Sequence, residues 1–210
     1  MATIAAGPVA KASNARLIDE FIPRADRGDL HEVLIRAPAE PVFSLAWSYD
    51  LRSHPLVRAI VRLRQLVMRG RAAPPRAPAG IVAETTGLGW VVLAHRPGRE
   101  VVLGAATEPW KPDVVFRPVP RDEFAGFAEP GLVKIVWTLE ARPLGPALTL
   151  FRTETRALAT DPEARRRFCR YWLGVGLGVK LIRRLMVPAI RREAERRYRR
   201  KRNTAVLEGA

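Results

Sequence analysis

The 210-residue chain is 48% hydrophobic and 27% charged, with a formal net charge of +15, which is the composition of one globular domain and excludes a disordered or collagen-like chain. Its single cysteine, Cys169, excludes an intrachain disulfide framework and a cysteine-rich metal cluster, and makes the cytoplasm the expected compartment. No apolar run approaches the roughly 20 residues that a membrane-spanning helix needs.

Taken in chain order, residues 1–27 read as a loose tail with a short helix over Asn14–Phe21, and nothing in them resembles the unbroken apolar core of a signal peptide. The first strand is predicted over Leu30–Arg36, where His31, Val33 and Ile35 alternate with Glu32, Leu34 and Arg36. Ala37-Pro38-Ala39-Glu40 is a helix start, with Val42, Phe43, Ala46 and Trp47 at helical spacing. A second helix is predicted from Ser53, with Pro55 just inside and Leu56, Ile60, Leu63 and Val67 on one face. Gly70–Gly80, rich in Pro, Ala and Arg, is a connector and not a domain boundary, because the residues before it contain too few strands to close a core.

From Gly87 the pattern becomes strands and turns. Leu88–His95 and Glu100–Ala106 flank Arg96-Pro97-Gly98-Arg99 as a hairpin, and Val114–Arg117 between two prolines is a short edge strand. Leu132–Glu140 and Ala147–Leu158 carry the strongest strand patterns and form a second hairpin about Arg142–Pro146. The final element is a long helix opened by Asp161-Pro162-Glu163. Phe168, Trp172, Val175, Val179, Ile182 and Met186 step by 4, 3, 4, 3 and 4 along its apolar face. Pro188 is expected to bend or divide it. Between Asp161 and Arg202 thirteen Arg and two Lys face four acidic residues, so most of the net charge sits at this end.

Strand, two helices, a run of antiparallel strands and one long C-terminal helix is the element order of a known superfamily. Local phrases resemble a bacterial branch of it. They are His31-Glu32-Val33 through Ala37-Pro38-Ala39-Glu40-Pro41-Val42-Phe43, Pro97-Gly98-Arg99-Glu100-Val101-Val102-Leu103-Gly104, and Thr153-Glu154-Thr155-Arg156 running into Arg166-Arg167-Phe168-Cys169-Arg170-Tyr171-Trp172. The chain resembles the START-like (SRPBCC, helix-grip) superfamily over roughly Leu30 to Arg192. The resemblance implies an α+β fold in which a curved antiparallel sheet wraps around the long C-terminal helix. The helix-grip domain is placed at 28–192 and a basic C-terminal extension at 193–210. It also implies a cavity between sheet and helix for a hydrophobic or amphipathic small molecule or lipid, in a carrier or cyclase-like protein. The helix at Ser53–Arg69 and its proline-rich connector depart from the pattern at the cavity mouth.

The strand alternation supplies candidate lining residues. Val133, Ile135, Trp137 and Leu139 share one strand face, and Thr149, Phe151, Thr153, Thr155 and Ala157 share one face of the next. With Trp110 from the loop and Tyr171, Trp172 and Val175 from the helix, the candidate ligand-binding set is Trp110, Val133, Ile135, Trp137, Phe151, Thr153, Thr155, Tyr171, Trp172 and Val175. Large rings mixed with small hydroxyls suit a pocket, and a filled core with threonines chosen for β propensity is the other reading. Gly174, Gly176 and Gly178 inside the helix imply close packing on the sheet, or room for a ligand.

No catalytic residue is assigned. His31, His54 and His95 are scattered and lack metal-ligand spacing, so no metal or other cofactor is implied. Glu154 between Arg152 and Arg156 reads as an ion pair on the outer strand face. The competing function is a peripheral adaptor on anionic membranes, and less readily on nucleic acid. Its contacts would be Arg183, Arg184, Arg191, Arg192, Arg196 and Arg197, beside an apolar face ending near Met186 and Ile190. No motif specific to nucleic-acid recognition is present.

Overall fold

The computed structural model describes residues 16–50 and 80–208, with isolated positions 55, 58, 59, 62 and 66 between them. The helix expected from Ser53 lies largely outside the described residues, although Pro55, Arg58, Ala59, Arg62 and Leu66 are helical. The connector is outside them except for Gly80.

Six strands form one antiparallel sheet: β1 Arg27–Ile35, β2 Val91–Arg96, β3 Glu100–Thr107, β4 Phe116–Arg117, β5 Val133–Gly145 and β6 Leu148–Ala159. Their order is β1-β6-β5-β3-β2, with β4 added to β3. Five helices are described: α1 Ile18–Phe21, α2 Ala39–Trp47, α3 Ile81–Thr86, α4 Arg121–Phe124 and α5 Pro162–Glu208. The α+β architecture expected from the sequence is present, with α5 against one face of the sheet. We call that face inner.

Helix α5 starts where Asp161 accepts the backbone N–H groups of Glu163 and Ala164, each at 2.8 Å. These hydrogen bonds hold the Asp161 carboxyl below its ordinary range. The helix continues through Pro188 without dividing. Packing of Met186, Val187 and Ile190, all buried, offsets the missing hydrogen bond of the proline. Contacts with the core persist past Arg192: Ala194 is buried, Tyr198 packs on the core, and Glu195 accepts the Arg36 N–H at 3.1 Å.

The inner core joins Ile35, Val101, Leu103, Trp137, Leu139 and Phe151 to Val42, Phe43 and Ala46 of α2 and to Met186 and Ile190 of α5. The outer face is covered too. Val102, Ala106 and Val136 project to that side and pack with Leu17, Ile18, Phe21 and Ile22 around α1, and with Val119 and Phe124 of α4. Gly104 allows this closeness, since a Cβ there would meet Leu93 Cδ1 at 2.4 Å and the Phe124 ring at 2.7 Å.

Covering the outer face changes the surroundings of its charges. Arg156 pairs with Glu154 at 2.8 Å and Asp19 at 2.7 Å, and Arg152 pairs with Glu140 at 3.2 Å. Arg16 also pairs with Glu154. The expected Glu154 ion pair is therefore on the outer face, but buried beneath α1. Glu100 lies opposite Glu140 on the same face. Burial, and then the Glu140 charge, push its carboxyl up to about 7, while Arg96 opposes them.

Of the helix glycines, Gly174 and Gly176 do not serve the close packing on the sheet that was expected. A Cβ on Gly174 would meet nothing within 4 Å, and one on Gly176 would meet the Trp172 indole of the same helix.

Candidate ligand site on the inner face

Strands β5, β6 and β1 are adjacent, and their register arranges the inner side chains in rows. Ile135, Ala157 and Arg27 form one row; Trp137, Thr155 and Asp29 the next; Leu139, Thr153 and His31 a third. The middle rows are polar toward β1 and apolar toward β5. Trp137 Nε1 donates to Thr153 Oγ1 at 2.9 Å, so the ring is packed and its one polar atom is satisfied.

Helix α5 brings Arg183 onto these rows. Its guanidinium donates to Asp29 Oδ2 at 2.7 Å, to the Asp29 carbonyl at 2.8 Å, and to Thr155 Oγ1. Arg183 and the Asp29 carboxylate are both buried. Burial disfavours the charged guanidinium, whereas the hydrogen bond and charge of Asp29 support it. His31 Nδ1 lies 3.5 Å from the same Asp29 oxygen, too far for a good hydrogen bond. That nitrogen is buried without a hydrogen-bond partner, while the ring as a whole remains about one-quarter exposed.

The sequence-derived residues fall into two groups. Trp110, Ile135, Tyr171 and Trp172 are half-buried around Val133, Ala157 and Phe168 at the N-terminal part of α5. Trp137 and Phe151 belong to the inner core with the later turns of α5. Thr153 and Thr155 lie between and are hydrogen-bonded to Trp137 and Arg183. The Val175 side chain is outside the described residues. Trp110 also lines an open hollow of about 320 Å³ with Glu108, Gly131, Asp161 and Arg167. Trp90 is half-buried against the inner core, its ring tilted relative to that of Phe116 with the centroids 5.3 Å apart.

Asp29, His31 and Arg183 were not recognised as a group from the sequence. The signals were present: Asp29 and His31 lie two apart on the strand face shared with Val33 and Ile35, and Arg183 borders the apolar stripe, next to Ile182 and three residues before Met186. Arg183 is not available for the membrane contact expected of it. It faces inward and is buried, as are Met186 and Ile190, so that face of the helix has no free contact to offer a bilayer. Arg191, Arg196 and Arg197 are exposed but paired with Glu195 or Glu193.

Among the described residues there is no cluster of metal-ligating side chains, and no helix is long and apolar enough to cross a membrane.

Neither a family model nor a curated protein matches the chain. Solved structures similar to it include norcoclaurine synthase from Thalictrum flavum in complex with dopamine and hydroxybenzaldehyde. That match has 10% identity, covers 90% of this chain and 97% of that one, and has a TM-score of 0.34. CalU16 from Micromonospora echinospora is 13% identical, with 82% and 85% of the two chains covered and a TM-score of 0.29. The Zhui aromatase/cyclase from Streptomyces sp. R1128 is 14% identical, with 81% and 94% covered and a TM-score of 0.27.

Proposed function

We propose that the chain binds an amphipathic small molecule between the inner face of the sheet and the first half of α5. In this reading the apolar body of the ligand lies against Ile135, Tyr171 and Trp172, and its polar end reaches Asp29, His31 and Arg183. The observation that carries the proposal is the buried His31 Nδ1 without a partner beside a buried Arg–Asp pair. Buried polar atoms are rarely left unpaired unless a ligand, ion or water completes them. Half-buried rings beside convergent polar groups are also the usual lining of a small-molecule site.

The arrangement suits a carrier, or a cyclase-like protein that acts by positioning a substrate.

Native mass spectrometry of freshly purified protein, followed by organic extraction, tests the reading directly. A bound small molecule is expected as a discrete added mass. Titration with anilinonaphthalene sulfonate, an amphipathic fluorophore, should also saturate at one site and weaken in Ile135→Trp, which adds bulk beside Tyr171 and Trp172. Absence of added mass together with unsaturable fluorophore binding would remove the proposal.

A further inference from the structure

Helix α5 has a second apolar stripe, distinct from the one that enters the core. Leu173, Leu177 and Leu181 are 77%, 71% and 40% exposed. Each is one helical turn from the next. Arg166 and Arg170 precede them on the same side, and Lys180 and Arg184 accompany or follow them, all exposed. At 100° per residue these seven side chains fall within an arc of about 100° and extend over roughly 27 Å of helix.

The charges on this face are uncompensated. From Ala164 to Arg192 the sequence has no Asp or Glu, and no ion pair to Arg166, Arg170, Lys180 or Arg184 occurs among the described residues. The arginines at either end differ: Arg167 pairs with Glu163, and Arg191 pairs with Glu195. Along this stretch of the helix, four unpaired cations flank the exposed leucines. Gly174 lies beside Leu173 with nothing near its Cβ position, and the leucines stand as separate apolar pegs.

We infer that this outward face of α5 docks the protein on an anionic lipid bilayer. The leucines enter the boundary between headgroups and acyl chains, while Arg166, Arg170, Lys180 and Arg184 meet lipid phosphates. A fluid surface accommodates separated pegs without a preformed complementary shape. The uncompensated cations match its negative charge. Nucleic acid would use the cations but gain little from a central row of leucines. This surface is turned about 110° around the helix from Arg183, and the inference does not rest on ligand binding at the inner face.

The test uses the full chain in flotation assays with phosphatidylcholine vesicles, with and without phosphatidylserine. Binding is expected only with the anionic lipid and should decline as salt is raised. Leu173→Gln with Leu177→Gln should weaken it about tenfold or more, and Arg170→Glu with Lys180→Glu should abolish it. Circular dichroism melts verify that each variant is folded, which both should be because the four side chains are exposed. Failure to float with anionic vesicles at low salt overturns the inference, as does binding that is indifferent to the leucine changes. A dimer in lipid-free solution that dissociates in the leucine variant would also overturn it, by assigning the stripe to a second copy of the chain.

Discussion

Removing the guanidinium of Arg183 leaves the Asp29 carboxylate buried without its charge partner. Arg183→Met is expected to destabilise by about 3 to 5 kcal/mol, the cost of an uncompensated buried charge. Arg183→Met combined with Asp29→Asn should recover more than half of that loss, because the remaining polar groups are neutral. Urea midpoints of the two single variants and the double variant measure the coupling. Glu100 makes the opposite kind of prediction. Its carboxyl is raised to about 7 in the fold from an unfolded value of 4.5. The folded state therefore binds the extra proton between those values, and stability is lost as pH rises through that window. Glu100→Gln should match the wild type near pH 4.5 and exceed it above pH 7, by up to about 3 kcal/mol for a shift of this size. Denaturation at pH 5 and pH 8 checks the sign, since a larger advantage at the lower pH would contradict it.

Among the elements, α5 carries the clearest departure from helical preference. Gly174 is exposed, has ordinary helical backbone, and has open space at its Cβ position. Gly174→Ala should stabilise the chain by up to about 1 kcal/mol, measurable as a raised melting temperature. Strands β5 and β6 were legible in the sequence because their alternation is long and their partner is a hairpin away. The inward assignment of Val133, Trp137 and Leu139 followed from the same alternation. Helices α3 and α4 were not legible: six and four residues are too few turns to show a 3.6-residue period. The start of β1 was missed for another reason. Arg27-Gly28-Asp29 lacks strand-forming side chains, and it is extended because it pairs with Thr155, Arg156 and Ala157 of β6. The same limit hid the polar part of the candidate site, because burial of Asp29 and Arg183 depends on partners distant in sequence. The hairpin turn also tightened. Pro143 lies within β5 opposite Thr149, at a shift of register that accommodates its missing N–H.

For the whole molecule, both faces of the sheet are occupied: the inner face by α2 and α5, the outer by α1 and α4. Residues Leu17–Ile22 thus contribute to closure of the outer core, and α5 contributes to the inner one as far as Ala194 and Tyr198. The pairing of β1 with β6 also sets a schedule. A growing chain emits β1 early, yet Glu32 must wait for Arg152, 120 residues later, to find its strand partner. Until then one edge of the future sheet has no template, and the hairpin β5–β6 must form before β1 can join it. Distant pairings of this kind slow folding and prolong the exposure of unpaired strands. We expect refolding from urea to be slower than for helical proteins of this length, with protection of β1 amides from hydrogen exchange appearing after that of β5 and β6. Simultaneous protection of all three strands would show that the first strand is recruited without waiting for the hairpin. For a ribosome, the feature means that nearly three-quarters of the chain must emerge before its first strand has a place to go.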